Sequence, residues 1–153
     1  MSVLKNERKE SGMQFLDNMK ILHYFTLEFC MSMPKRWGSF LTEDICKLAT
    51  KALVKVKKAN SVFPTNQEER QIRKNLFNDA YGDLESMVTL VDNLYDFCEN
   101  SGNVNFKLNL KKVEKWIQAI SIEMKLIKGV MKKDSERFKN LPDKMTKGAN
   151  NKK

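Results

Sequence analysis

Residues 109–138 read NLKKVEKWIQAISIEMKLIKGVMKKDSERF. Val113, Ile117, Ile120, Met124, Ile127 and Met131 recur at intervals of three and four, with Trp116, Leu126 and Val130 beside them. A side chain returns to the same face of an α-helix at that spacing, whereas a half-buried strand alternates every second residue. Lys111, Lys112, Lys115, Lys125, Lys128, Lys132 and Lys133 fill the rest of the circumference. Asn109 carries a side-chain oxygen suited to an N-cap. The spacing therefore predicts one amphipathic helix from Asn109 to about Phe138.

The same pattern continues upstream. Leu76, Ala80, Leu84, Met87, Val91, Leu94 and Cys98 form the apolar line of a preceding helix. Pro64-Thr65 opens it, with Thr65 and Glu68 spaced as a capping box, and Asn100-Ser101-Gly102 closes it. Before that, Thr42 is placed to cap a helix with Glu43 and Asp44 in its first turn, where the backbone dipole favours acids. Its buried line is Ile45, Leu48, Ala49, Ala52, Leu53, Val56 and Ala59.

The first helix, Met13 to Met33, carries two apolar lines. Leu16, Met19, His23, Thr26, Cys30 and Met33 make one, and Phe15, Leu22, Phe25 and Phe29 the other. Tyr24, Leu27 and Met31 widen the surface further. Apolar residues nearly all round a helix imply burial on several sides, and in a small bundle that means contact with another subunit. Pro34 ends the element, since proline lacks an amide donor and disfavours helix at the residue before it.

Four long helices with short connections predict an all-α, up-down-up-down antiparallel four-helix bundle over residues 13–139. Residues 1–12 are expected to fray. The Lys- and Asn-rich tail of residues 140–153, past Leu141-Pro142, is too polar to bury anything and is expected to be disordered. A chain of 153 residues suits a single core.

The formal charge is +9, from 28 basic and 19 acidic residues, and it is divided by element. Lys35, Arg36, Lys47, Lys51, Lys55, Lys57 and Lys58 face only Glu43 and Asp44 within residues 34–60. Asp79, Asp83, Glu85, Asp92, Asp96 and Glu99 make the third helix acidic, and the fourth is basic again. This segregation predicts a bundle with a basic side and an acidic side. Lys47, Lys51, Lys55 and Lys58 recur at four, four and three, so they share one face of the second helix, with no acid between them. Such a row neutralises phosphates and releases counterions. No set of Asn, Gln or Arg is placed to read bases, so any contact is expected to be backbone-led. A solvated lysine face is the other reading of the same row.

Catalysis finds little to work with. His23 is the only histidine, too few for the paired Glu-x-x-His ligands of a di-metal bundle or for a zinc hydrolase. As a lone base it reads as a packed or interface residue. The six glycines form no phosphate loop. Cys30, Cys46 and Cys98 are widely spaced and read as buried reduced thiols. No cofactor or metal is expected. The opening Lys5, Glu7, Arg8, Lys9 and Glu10 do not read as a secretory leader, and no apolar run reaches the roughly 20 residues that span a bilayer. A cytoplasmic, non-enzymatic protein without a membrane segment is expected.

Met33-Pro34-Lys35-Arg36, the following Phe40-Leu41, and the run from Ile45 to Ala59-Asn60 resemble the accessory proteins of diversity-generating retroelements, the Avd-like four-helix bundles. Leu76 to Leu94 and Ile127-Lys128-Gly129-Val130-Met131-Lys132-Lys133 are similar to that family's third and fourth helices. A sister family, encoded within intervening sequences of large-subunit ribosomal RNA genes, is almost as close. Two positions depart from the Avd-like pattern. Val91-Asp92-Asn93 stands where the family usually has an Arg, and Val130 where it usually has a Trp.

The resemblance implies a homopentameric barrel that associates with a reverse transcriptase and with template RNA or cDNA. Phosphate or polymerase contacts are then expected from Lys35, Arg36, Lys47, Lys51, Lys55 and Lys58. Lys111, Lys115, Lys125, Lys128 and Lys132 are expected to add to them from the fourth helix. The alternative is a protein-interaction scaffold of the same class without nucleic-acid binding, whose acidic third helix pairs with a basic partner.

Overall fold

A computed structural model describes residues 13–143. Among them the chain forms five α-helices and no strand: α1 (Gln14–Met31), α2 (Lys35–Leu41), α3 (Glu43–Ser61), α4 (Gln67–Asn100) and α5 (Leu110–Arg137). The expectations for residues 1–12 and for residues 144–153 lie outside the described residues.

The long helices contact one another in a ring. α1 packs against α3 and α5, and α4 packs against α3 and α5. The α3–α4 junction is the most extensive, and Ala49, Ala52 and Ala59 put small, fully buried side chains on α3. Met19, Leu22, Ile45, Val56, Phe77, Leu84, Met87, Val91, Trp116, Ile120 and Ile127 fill the centre. Phe15 meets Phe77 edge-on, with ring centroids 5.6 Å apart.

Trp116 organises the α1–α5 junction. Its Nε1–H donates to Thr26 Oγ1 at 3.1 Å, and the Thr26 hydroxyl donates in turn to the Leu22 carbonyl at 2.8 Å. Phe29 lies tilted on the indole at 4.4 Å. All three polar groups are thereby satisfied inside the core, as a buried donor requires.

Several local expectations are corrected. The stretch between α1 and α3 is helical rather than a connection. Thr42 does not cap α3 with its side chain, because its Oγ1 donates to the Gly38 carbonyl at 2.8 Å. The cap of α4 shifts by one residue: Asn66 Oδ1 accepts from Glu69 N at 2.9 Å, and Glu69 accepts from both the Thr65 amide and its hydroxyl. Asn109 caps α5 as expected, accepting from Lys112 N at 3.2 Å.

Leu141 and Pro142, at the start of the expected tail, are tied to α4. The Gln67 side chain donates to the Leu141 carbonyl, and the Gln67 amide donates to that of Pro142.

The buried face of α5 is also rotated from the expected one. Val113, Trp116, Ile120, Glu123 and Ile127 are buried, while Ile117, Met124 and Met131 lie at its margin. On α1, Ile21, Tyr24, Leu27 and Met31 face away from the chain's own core, with Met31 85% exposed.

Candidate nucleic-acid interface

Lys47, Lys51 and Lys58 stand exposed on one face of α3, opposite the line of Ile45, Ala49, Ala52, Val56 and Ala59 that the core takes up. The row is not free of acid as its spacing suggests. Lys47 Nζ lies 2.8 Å from Glu43 Oε1, one turn earlier. That hydrogen bond holds the Glu43 carboxyl below its ordinary range and raises the Lys47 ammonium. Both groups are open to water, so the pair is weak.

Lys55 is different. It turns to the flank facing α4 and donates to Asp83 Oδ2 at 2.7 Å, with both side chains largely covered. It fastens α3 to α4. Lys51 and Lys58 make no ion pair among the described residues.

On α5, Lys111, Lys115, Lys125 and Lys132 are exposed along the outer face. Lys128 sits over the Tyr81 ring of α4, with Nζ 4.4 Å from its centroid, a contact worth about 0.5–1 kcal/mol at such a site. Lys35 and Arg36 open α2, and Arg36 stacks on Trp37 at 4.8 Å.

These groups do not form one surface. α3 and α5 are not neighbours, since α4 lies between them on one side and α1 on the other. The expected single basic side is therefore two separate basic stripes. Asp79, Glu85, Asp92 and Asp96 lie exposed on the intervening α4.

Two charged residues inside the bundle escaped the sequence reading. Glu123 has no exposed surface. Its Oε2 accepts from Asn18 Nδ2 at 2.9 Å, and its Oε1 has no partner among the described residues. Burial pushes its carboxyl up to about 8, against the opposing pull of the Asn18 hydrogen bond. Arg73, also buried, donates to Asp134 through Nε and Nη2 and to the carbonyls of Ala59 and Val62 through Nη1. The heptad spacing of Glu123 from Trp116 was the available signal for the first. Nothing local marks the second.

Elsewhere the chemistry is sparse. His23 Nε2 and Thr50 Oγ1 lie 3.0 Å apart across the α1–α3 junction. Cys30 is buried with its thiol pushed up by burial and by the neighbouring Cys46, the opposite of an activated nucleophile. Among the described residues no group of His, Cys, Asp and Glu is arranged to hold a metal ion, and no helix is long and apolar enough to cross a membrane.

In comparisons with known proteins, the chain matches no family model, no curated protein and no solved structure.

Proposed function

We propose that this chain is a non-catalytic accessory protein that holds RNA or cDNA on its lysine stripes and docks a reverse transcriptase, as in a diversity-generating retroelement. The observation that carries the reading is the exposed row Lys47, Lys51 and Lys58, presented on one face of a helix whose other face is fixed in the core. The likeness of residues 33–60 to the Avd-like family supplies the polymerase.

The architecture that goes with this reading is an up-down-up-down antiparallel four-helix bundle to which α2 is added. Its support is the order of the junction contacts. Asn18 meets Glu123 while Thr26 meets Trp116, and Arg73 meets Ala59 while Asp83 meets Lys55, so partners run in opposite chain directions. Assembly into a homopentamer would cover the apolar stripe Ile21, Tyr24, Leu27 and Met31 on α1.

The test separates the surface lysines from the structural one. Lys47, Lys51 and Lys58 are replaced together by Glu, leaving Lys55 with Asp83. Binding of a single-stranded RNA probe is expected to weaken by about tenfold or more, with helicity and melting temperature unchanged. For the parent, contact with about five phosphates gives roughly a hundredfold loss between about 50 and 200 mM salt. Equal RNA binding by parent and triple variant would remove the α3 row from the interface. Sizing by light scattering reads the subunit number directly, and a monomer would end the pentamer reading.

A protein-interaction scaffold without nucleic-acid binding is the second reading. What favours it is the exposed acidic surface of α4, which a basic partner would match.

A further inference from the structure

At the end of the molecule away from Arg73, an open cleft of about 560 Å³ lies between α2, the first turn of α3 and the last turns of α4. Phe40, Leu41, Leu90 and Phe97 supply its apolar walls, and Asp44 and Asp96 stand at it as well. Phe40 is 82% exposed and Phe97 47%. Large aromatics that open to water on both sides of one concavity are an arrangement that binding sites use and that an isolated surface does not need.

α2 sharpens the point. It has seven residues, including Trp37, Phe40 and Leu41, and buries none of them. A helix this short gains too little from its own backbone hydrogen bonds to persist alone. It leans on α1 and α3, and Phe40 on its outward side has no cover among the described residues.

Charge selects the occupant. The charged residues that line the cleft are Asp44 and Asp96, with no Lys or Arg among them. Asp44 and Asp96 carry no ion pair among the described residues. An acid-flanked apolar cleft on a chain of charge +9 calls for a ligand that is apolar and basic together.

A second copy of this chain fits poorly. Its exposed α1 stripe is interspersed with Asp17 and Glu28, and the exposed apolar residues of α5, Leu110 and Ile122, stand about three turns apart rather than as a pair.

We propose that this cleft receives a basic amphipathic helix of a partner protein. Apolar side chains at i and i+3 or i+4 enter between Phe40 and Phe97, and flanking Lys or Arg side chains meet Asp44 and Asp96. This is the helix-in-groove mode of recognition. It stands whether or not the lysine stripes hold RNA.

The full chain is titrated, by fluorescence anisotropy, with three labelled synthetic peptides. One is a Leu/Lys amphipathic helix, one a Leu/Glu helix with the same apolar face, and one a Ser/Lys peptide with the same charge. The Leu/Lys helix is expected to bind at least about tenfold more tightly than either control. Asp44→Lys with Asp96→Lys is expected to reverse the preference between the Leu/Lys and Leu/Glu helices. Phe40→Ser, at an exposed position that folding does not need, is expected to weaken Leu/Lys binding by about tenfold or more.

Three results would overturn the proposal. One is equal binding of all three peptides, or of none. Another is Leu/Lys affinity unchanged in both variants. The third is a fall in the parent's light-scattering mass on Phe40→Ser, which would assign the cleft to a second copy.

Discussion

Raising the pH from about 5 to about 8.5 is expected to lower the stability of this protein, and Glu123→Gln is expected to remove most of that slope. Glu123 sits at the centre of the α1–α5 junction with no exposed surface and one oxygen unpartnered. Burial raises its carboxyl from an ordinary 4.5 to about 8, with Asn18 pulling the other way. Between those values the unfolded chain carries an ionised Glu123 and the folded chain a protonated one. Folding then takes up a proton, so stability is full below about 4.5 and falls as pH rises through about 8.

The slope from this group is about 1.4 kcal/mol per pH unit, large beside a total stability of about 5–15 kcal/mol. No charged side chain among the described residues forms an ion pair or hydrogen bond with the carboxylate. Glu43 and Glu69 are shifted downward, so any stability they add is lost only on acidification. Urea midpoints at several pH values measure the effect. Glu123→Leu, which buries no charge, should exceed the parent in stability at pH 8.5. Parallel pH profiles for parent and Glu123→Gln would sink the account.

Glu123 also marks how far a sequence can be read. The long helices were legible because three-four periodicity persists over many turns in each. Which face of α5 is buried was not, since Val113, Ile120 and Ile127 belong equally to a line through Trp116 and Glu123 and to one through Ile117, Met124 and Met131. The Trp116–Thr26 and Asn18–Glu123 bonds decide between them, and both need α1 in place. α2 escaped because seven residues show less than two full repeats. Pro34 was read as the stop of α1, yet proline is also tolerated at a helix start, so one residue closes one helix and opens the next.

The lysine rows were legible as helix faces but not as a surface. Charge segregated along the chain becomes a charged side only if like elements are adjacent. In a ring of helices linked in sequence, the second and fourth long helices stand at opposite corners. Lys55 shows the same limit at the level of one residue. It keeps the spacing of its neighbours but lies far enough round α3 to reach Asp83. Spacing assigned it to solvent, and packing gave it to α4.

Asp134→Ala is expected to cost roughly 3–5 kcal/mol, the range for stripping one partner from a buried ion pair. Arg73 and Asp134 are 7% and 13% exposed at their side chains and meet through two hydrogen bonds, of 2.6 and 3.3 Å. The guanidinium also holds the carbonyls of Ala59 and Val62 at 3.0 and 3.1 Å, so one side chain joins the end of α3, the start of α4 and the end of α5. Without Asp134 the cation stays buried with no counter-ion among the described residues, whereas without Arg73 the carboxylate still has Arg137 at 3.2 Å.

Arg73→Met should therefore cost less than Asp134→Ala, chiefly for the Val62 carbonyl left without a donor, at about 1–3 kcal/mol when fully buried, since the Ala59 carbonyl keeps the Val62 amide at 3.2 Å. The double variant Arg73→Met, Asp134→Leu should be more stable than the sum of the single effects implies, because each change removes the charge the other would strand. Denaturant unfolding of all four proteins gives the coupling energy. Strict additivity would mean that the two groups are not joined as their geometry says. A strong coupling would separate Arg73, a cation the fold consumes, from Lys47, Lys51 and Lys58, whose replacement should leave the unfolding midpoint where it was.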